Sequence, residues 1–469
     1  MRTSVRHPEA PARQRRAPPP VGRHTTRRGF LAAAGAVAPA GLAACGQSAG
    51  SGPPAGSSQE PVTLEWSFAV DPGFDAPMLQ NVKRFQDANP RIGVVARDES
   101  GLGGTGQTQK VLTQLAGGTP PDTTYFTAKQ FMSYVAIDAL LGLDARLTRD
   151  RALKLDDLYP QTIEYSRFDP ARRVHGLGQT FGLPYLFGPV FVGYNKTLFQ
   201  KRGVRLPDDY ERAGAWTWDA LLEVCRQLTA GAGDDRSFGF APPFPTGIDV
   251  SNAWMWPMGA QFFDRELKQS LLTAPESVAA HQYMADLHVK HKVAPLPSDP
   301  LPPPGGIASG RVGMALLLRQ TATTFDKADF EKGMVAAPKG KGGRVVRAAP
   351  HAGGVLKATR HPDEAYELVR FFTTADAQRT WTGTFPGTVP VRKSLAESGD
   401  FVKGLRPWES AAVYRESNKL LRVTQLPPKS PEMDTLLTDA QKAMQLGQQT
   451  ADAALAAIKP QWDALFQTR

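Results

Sequence analysis

Glycine spacing provides the first candidate for chemistry in the sequence. Residues Gly101–Gly106 match the pattern G-x-G-x-x-G, which here follows a strand-like run and precedes a helical one. This pattern holds the pyrophosphate of a dinucleotide when its first glycine directly follows the first strand of a sheet. In this chain Arg97 to Ser100 intervene, and the strand is the second one. The match is therefore weak, and a nicotinamide cofactor stays only an alternative.

Residues that could carry other catalytic chemistry lack the spacing that such chemistry needs. The sequence contains no G-x-S-x-G turn and no H-E-x-x-H helix motif. His288 and His291 are spaced i, i+3, but no third ligand is near them, so we expect a solvated helix end. Adjacent carboxylates such as Asp156 and Asp157 need not converge and do not form an acid and base pair. The sequence predicts no enzyme activity, no metal site and no cofactor.

Charge is concentrated at the amino terminus. The formal net charge is +10, but residues 1–44 hold eight Arg and one Glu, which leaves about +3 for the rest. So small a charge gives no reason to expect nucleic acid as a partner. The two cysteines cannot form a disulfide framework. Cys225 lies beside Leu221 and Val224 in a helical pattern, where we expect it to be buried.

The amino-terminal segment has the features of an export signal. Paired arginines at 27–28 precede a weakly apolar stretch that ends in the tetrapeptide LAAC at 42–45. This order resembles a twin-arginine signal joined to a lipobox, in which the Cys45 sulfur takes a diacylglycerol and becomes the mature amino terminus. The apolar stretch has about 15 residues, fewer than the roughly 20 that span a bilayer. We expect a signal peptide at 1–44 and anchoring to the outer face of the cell membrane through Cys45.

Beyond Cys45 the sequence changes from a tether to a folded body. Residues 45–61 are rich in Gly, Ser and Pro, which predicts a flexible tether. The next elements predicted by hydrophobic spacing are a strand Val62–Val70, a helix Met78–Asn89, a strand Ile92–Ala96, a helix Gln107–Leu115 and a strand Thr123–Phe126. This alternation predicts an α/β fold with an open sheet and helices on its faces.

Longer motifs along the body resemble one family. In chain order they are Phe85–Pro90, Gly118–Asp122, Gly182–Tyr185, Gly193–Phe199, Thr217–Leu221, Gly259–Asp264, Ala308–Met314, Gly353-Gly354, Pro362–Tyr366 and Gly387–Arg392. In order and spacing they are similar to the family 1 extracellular solute-binding proteins, and the resemblance covers nearly everything after residue 62. It implies an α/β, two-lobed periplasmic-binding-protein-like fold of type II, with hinge crossings between discontinuous lobes.

The resemblance also implies where the lobes begin and end. The expected bounds are 62–184 with 352–398 for the first lobe and 185–351 with 399–469 for the second. The crossings then lie near Tyr185, His351 and Ser398. Glycines and prolines around the first crossing suit a hinge, although an ordinary turn between strands would carry the same residues.

In such proteins the ligand lies between the lobes, and sugar recognition needs flat aromatic faces together with planar polar groups. The candidate ligand-binding residues are Trp66, Phe68, Asp122, Tyr125, Tyr185, Trp254, Trp256, Arg319, Gln320, Gly353 and Arg392. For any single aromatic residue, burial in the core is the better expectation. The family often has Gly-Ser-Trp after its Met-containing strand, where this chain has Leu318–Thr321. Arg319 and Arg392 would suit an acidic sugar or would lie at the surface.

The function implied by the resemblance is that of an extracytoplasmic solute-binding subunit of an ABC importer. It would capture a sugar or oligosaccharide and deliver it to permease subunits in the membrane. ATP would be hydrolysed by other subunits, so this chain would need no catalytic residue. Twin-arginine export carries folded proteins, often with a bound cofactor, which keeps an exported NAD(P)-dependent sugar oxidoreductase as the alternative.

Overall fold

The computed structural model describes residues 60–70, 73–299, 301, 306–384 and 388–468. The expected signal peptide, the expected lipidation site Cys45 and most of the expected tether lie outside these residues. The side chains of residues 320, 321, 323 and 382–384 also lie outside the description.

The described residues form short strands and longer helices. The strands are β1 (Val62–Phe68), β2 (Ile92–Asp98), β3 (Thr123–Phe126), β4 (Arg167–Asp169), β5 (Val174–His175), β6 (Gln179–Thr180), β7 (Leu183–Leu186), β8 (Phe191–Asn195), β9 (Phe238–Ala241), β10 (Val312–Leu317), β11 (Lys332–Ala336), β12 (Val346–Arg347), β13 (His351–Val355) and β14 (Leu421–Arg422). The helices are α1 (Asp75–Ala88), α2 (Gly103–Ala116), α3 (Ala128–Val135), α4 (Asp144–Arg149), α5 (Pro160–Glu164), α6 (Lys196–Arg202), α7 (Pro207–Arg212), α8 (Trp218–Leu228), α9 (Ile248–Met255), α10 (Pro275–Val289), α11 (Thr323–Asp326), α12 (Pro362–Phe371), α13 (Ala375–Thr384), α14 (Lys393–Ala396), α15 (Gly399–Lys403), α16 (Ala411–Lys419), α17 (Ser430–Gln445) and α18 (Ala451–Gln467). Among these described helices, none is both long enough and apolar enough to cross a membrane.

The first sheet has the strand order β2-β1-β3-β13-β7. β1 pairs in parallel with β2 and β3, whereas β13 pairs antiparallel with β3 and β7. Leu64, Trp66 and Phe68 alternate along β1 and are fully buried, because alternate residues of a strand point to the same face. They belong to one core with Met78 and Phe85 of α1. The hydrophobic alternation after Val62 thus places the first strand against the first helix.

The second sheet has the strand order β11-β8-β10-β9, in which β8 runs antiparallel to both neighbours. Helix α8 packs against it with a buried stripe formed by Leu221, Val224, Cys225 and Leu228. A Cβ on Gly239 of β9 would lie 2.3 Å from the Cα of Cys225, so this glycine lets the helix approach the sheet. Cys225 is a free, buried thiol, as predicted.

The chain passes between the two sheets more than once. β7 belongs to the first sheet and β8 to the second, whereas β11 belongs to the second sheet and β13 returns to the first. The connecting segments contact one another through bridges between Phe187 and Val389 and between Pro189 and Ala348. We call these four residues the crossing cluster. Each lobe is therefore assembled from discontinuous parts of the chain.

The first five elements lie where hydrophobic spacing predicts them, with ends that differ by a few residues. The largest difference is at α2, which begins at Gly103 rather than at Gln107. Glycines at 103, 104 and 106 carry no apolar side chains, so hydrophobic spacing cannot reveal the first turn of this helix.

The prediction of a solvated helix end at His288 is wrong. The His288 side chain is buried, and its Nδ1 donates to the carbonyl of Pro295 at 2.9 Å. Its ring also stacks on Phe244, with centroids 6.2 Å apart. The chain after α10 folds back over the histidine, which spacing within the helix cannot reveal.

Buried histidines predict that acid weakens the fold. His281 is buried against Trp254 and Phe262, and burial lowers its pKa to about 4. Below pH 6.5 the unfolded chain binds a proton that the folded chain does not, so stability falls as the pH decreases toward 4. We expect this side chain alone to lower the free energy of unfolding by about 2 kcal/mol between pH 7 and pH 5.

Urea unfolding of the wild type and of His281→Gln at both pH values measures this contribution. The difference in unfolding free energy between pH 7 and pH 5 should be smaller in the variant by about 2 kcal/mol. An equal pH difference in both proteins would show that His281 titrates normally in the fold.

Candidate functional site

A cavity of about 470 Å³ lies at the carboxyl ends of the parallel strands β1 and β3. Crevices at this edge of an open α/β sheet are common ligand sites. Pro431 of α17 also contributes to the lining. Much of the polar lining comes from Thr105, Gln109, Tyr125, Lys129, Ser133 and His351.

Glycines at the start of α2 form part of the cavity lining. Gly103 has a φ of +65°, a conformation that glycine adopts without strain, and it starts the helix. The amide of Gln130 donates to the carbonyl of Gly104 at 2.9 Å and to Oε1 of Gln107 at 2.7 Å. Gln107 in turn donates to the carbonyl of Ser67 at 3.2 Å. Residues 103–106 of the segment with G-x-G-x-x-G spacing therefore form the first turn of a helix that is fixed to the sheet beside the cavity.

Tyr125 and His351 meet at the inner end of the cavity. The Tyr125 hydroxyl and Nδ1 of His351 form a hydrogen bond between the neighbouring strands β3 and β13. Burial and the nearby Arg347 cation lower the pKa of His351 to about 4. The imidazole is thus neutral at physiological pH, when it carries one donor and one acceptor nitrogen.

Lys129 contributes a cation to the lining and forms an ion pair with a residue of α17. Its Nζ lies 4.0 Å from Oδ2 of Asp434. Oδ1 of Asp434 accepts a hydrogen bond from the backbone N–H of Ile248 at 2.8 Å, while burial raises the pKa of this carboxyl. Because α3 packs on the first sheet's β3 and α17 packs on α9 and α10, the Lys129–Asp434 pair links the first sheet to that group of helices.

A second ion pair lies close to His351. Nε of Arg347 donates to Oδ1 of Asp249 at 3.0 Å, and the Thr424 hydroxyl donates to the same oxygen at 2.6 Å. Burial alone would raise the pKa of Asp249, but Arg347 and Thr424 hold it below its usual range. The charges near this end of the cavity are thus balanced within the protein.

Tyr125 is the predicted ligand-binding residue that lines this cavity. Trp66 and Phe68 stack on each other in the core of the first sheet, with ring centroids 4.4 Å apart. Tyr185 stacks on Phe372 in the same core, at 4.3 Å. These aromatic side chains stabilise the lobe in this structure.

Trp254 and Trp256 are buried within the second lobe. Trp254 meets the ring of His281 edge-on, with centroids 5.1 Å apart. The Arg422 guanidinium lies 4.5 Å above the ring of Trp256. Neither tryptophan lines the cavity among the residues described for it.

Asp122 and Gly353 hold the first sheet together. Oδ2 of Asp122 accepts the backbone N–H of Glu65 at 2.7 Å, and its Oδ1 accepts the Thr359 hydroxyl at 2.5 Å. Asp122 precedes β3, at the opposite end of that strand from the cavity. Gly353 pairs with Tyr125 in the sheet, so it lies next to the cavity without lining it.

The two predicted arginines are engaged by other parts of the protein. Arg392 donates to Oδ2 of Asp157 at 3.0 Å, and its other nitrogens donate to backbone carbonyls. Arg319 is completely buried in an ion pair with Glu409. The side chain of Gln320 lies outside the described residues. Ligand contacts at these positions stay predictions.

Sequence reasoning missed several residues of the lining. His351 was expected only as a crossing. Thr105 belongs to the segment considered for a dinucleotide, and Gln109 follows that segment. Lys129 and Ser133 follow the carboxyl end of β3, and this position could have indicated them.

Solved structures share this fold. An ABC substrate-binding protein from Listeria monocytogenes in complex with cycloalternan has a TM-score of 0.74 at 20% identity, covering 87% of this chain and 99% of that one. UgpB from Mycobacterium tuberculosis in complex with glycerophosphocholine has a TM-score of 0.71 at 18% identity, covering 86% and 98%. The likeness confirms the predicted α/β, two-lobed fold.

Sequence comparisons agree with the fold. A putative binding protein of Brucella abortus (strain 2308) is 21% identical over 379 residues, which cover 76% of this chain and 83% of the relative. The model of the family described as bacterial extracellular solute-binding protein matches residues 71–379. The chain therefore belongs to the bacterial extracellular solute-binding protein family.

Proposed function

We propose that the chain is the extracytoplasmic solute-binding subunit of an ABC importer. It captures a sugar or oligosaccharide between its two lobes and delivers it to permease subunits in the membrane. Family membership supports this proposal, as do the similar structures of an ABC substrate-binding protein in complex with cycloalternan and of an ABC transporter solute-binding protein bound with alpha-D-tagatose. The protein acts by binding, without catalysis.

The observation that carries the proposal is the cavity at the ends of β1 and β3, which has polar side chains in its lining. Its hydroxyl, amide and imidazole groups are the donors and acceptors that a sugar's hydroxyls require. Residues of α3 and α17 meet beside it at the Lys129–Asp434 pair. A ligand that contacts both sides favours the closed arrangement by its differential affinity for that state.

The charges around the cavity favour a neutral ligand over an acidic sugar. Arg319 and Arg392, which would suit a carboxylate, are not among the residues described as lining the cavity, and they donate their hydrogen bonds to the protein. Lys129 lies near Asp434, so its charge is partly balanced. We therefore assign a neutral sugar or oligosaccharide to the cavity, recognised by Tyr125 and His351 together with the first turn of α2.

The amino-terminal segment determines where the protein is located. Twin-arginine export followed by diacylglycerol attachment at Cys45 anchors the body to the outer face of the cell membrane. Residues 45–61 then act as a tether that keeps the body near its permease. The comparisons do not support the exported oxidoreductase, and no second function is proposed.

Ligand-induced stabilisation identifies the ligand class. A ligand at about 100 times its dissociation constant adds roughly 2.7 kcal/mol to the free energy of unfolding. We expect a neutral mono- or oligosaccharide to raise the thermal unfolding midpoint of the body from Gln47 onward, with NAD(P) and acidic sugars leaving it unchanged. Stabilisation by NAD(P) alone would refute the binding-protein function.

His351 should contribute directly to ligand affinity. Replacement by alanine removes one neutral hydrogen-bonding group from the cavity, so His351→Ala should weaken saccharide binding roughly five- to tenfold in titration calorimetry. His361→Ala is the matched control, because His361 lies at the start of α12, away from the cavity. Equal affinity of wild type and His351→Ala would place the ligand elsewhere.

Cys45 should determine membrane attachment. We expect Cys45→Ala to move the protein from the membrane fraction to the soluble fraction, because the acceptor of the lipid is lost. Cys225→Ala removes a buried thiol of the body and should leave the distribution unchanged. Mass spectrometry of the amino-terminal peptide checks the diacylglycerol, and a membrane-bound Cys45→Ala protein would contradict the assignment.

A further inference from the structure

Arg319 follows β10 of the second sheet and forms a buried ion pair. The side chains of Arg319 and Glu409 are both 0% exposed. Nε donates to Oε1 of Glu409 at 2.8 Å and Nη2 donates to Oε2 at 3.2 Å. The Tyr414 hydroxyl and the backbone N–H of Arg406 also donate to this carboxylate, at 2.6 and 2.7 Å. Both charges are thus surrounded by hydrogen-bond partners.

The same guanidinium reaches two further segments of the chain. Nη1 donates to the carbonyl of Thr388, and Nη2 donates to the carbonyl of Gly404 at 2.9 Å. Thr388 immediately precedes Val389 of the crossing cluster, whose N–H donates to the carbonyl of Phe187 at 3.0 Å. One side chain from the second lobe therefore holds the segment that contacts the first crossing.

Arg392 holds the other end of this segment to the first lobe. Its Nη2 donates to the carbonyl of Leu153 at 2.8 Å and its Nε to the carbonyl of Thr373 at 2.6 Å. Leu153 belongs to the core of the first sheet, as does Phe372, the neighbour of Thr373. Residues 389–391, which include Pro390, lie in sequence between Thr388, which Arg319 holds, and Arg392.

Because the Arg319–Glu409 pair is buried, its hydrogen bonds cannot be replaced by bonds to solvent when the geometry changes. Removing an ion pair from water costs about as much as its attraction returns, so such a pair adds little stability, whereas separating its partners leaves an uncompensated buried charge. If lobe rotation moved Thr388 relative to β10, a fully buried guanidinium N–H would lose its partner. The two lobes therefore have to rotate relative to each other through the residues that follow Thr388 in sequence.

We propose that Arg319 and Glu409 are positioning residues for ligand binding. They fix Thr388 to the second lobe, confine bending in this segment to residues 389–391, and so set the balance between open and closed forms. This inference rests on the proposed function, because that balance determines the apparent ligand affinity.

The test compares two double variants of the full chain carrying Cys45→Ala. Arg319→Met/Glu409→Leu replaces the pair by apolar side chains, a change that buried ion pairs often tolerate. The control is Arg344→Met/Glu211→Leu, which removes an ion pair within the second lobe. In that pair Nη1 and Nη2 of Arg344 donate to Oε1 and Oε2 of Glu211 at 2.7 and 2.5 Å. Dyes on Lys83→Cys and Lys290→Cys, both well exposed, report the distance between lobes by single-molecule energy transfer.

We expect the Arg319/Glu409 variant to show a broader distribution of lobe distances without ligand. Saccharide affinity should also fall roughly tenfold, within the usual range of coupling between sites. The control variant should match the wild type in both measurements. Wild-type distances and affinity in the Arg319/Glu409 variant, or the same changes in the control, would overturn the proposal.

Two further comparisons keep the test decisive. If the double variant does not fold, Arg319→Lys preserves the charge but cannot reach Glu409, Thr388 and Gly404 together, so the same changes should appear with smaller size. Wild-type behaviour of Arg319→Lys would then overturn the proposal. If the wild type binds no saccharide, the proposed function fails, while the distances measured without ligand still decide whether the pair restrains the lobes.

Discussion

The insertion of β13 between β3 and β7 is the constraint on which the remaining structure depends. This strand joins the first sheet only after the chain has built the second. It fits because a Cβ on Gly353 would lie 1.8 Å from the Tyr185 hydroxyl, and one on Gly354 would lie 2.9 Å from the Phe126 ring. The same pairing brings His351 beside Tyr125. Completion of the sheet therefore also builds one end of the cavity.

Charge balance around the cavity follows from the cost of burying ions. An unpaired buried charge is expensive, and here the buried Arg347 is paired with Asp249, while the half-exposed Lys129 keeps contact with solvent near Asp434. His351 avoids the same cost by remaining neutral. A cavity of this kind recognises a ligand through directed hydrogen bonds rather than through net charge. This property suits the neutral sugar that we propose.

Local patterns predicted the elements better than the site. Alternation and helical spacing located β1, α1, β2 and β3, and family motifs predicted the two lobes, which the solved structures confirm. Tyr125 was selected because it ends a strand, and it lines the cavity. The same reasoning selected Trp66, which faces the core, because strand position alone does not show which face meets the cavity. The partner of Tyr125, His351, lies 226 residues away in sequence, and no local pattern reports such a contact.

A crystal structure of the chain with its tightest-binding saccharide would show directly whether this cavity is the ligand site. We predict that the saccharide lies at the carboxyl ends of β1 and β3, within hydrogen-bonding distance of the His351 side chain and beside the first turn of α2. Helix α17 should cover its opposite side. A saccharide bound outside this cavity, with the cavity unoccupied at saturating ligand, would contradict the assignment of the site.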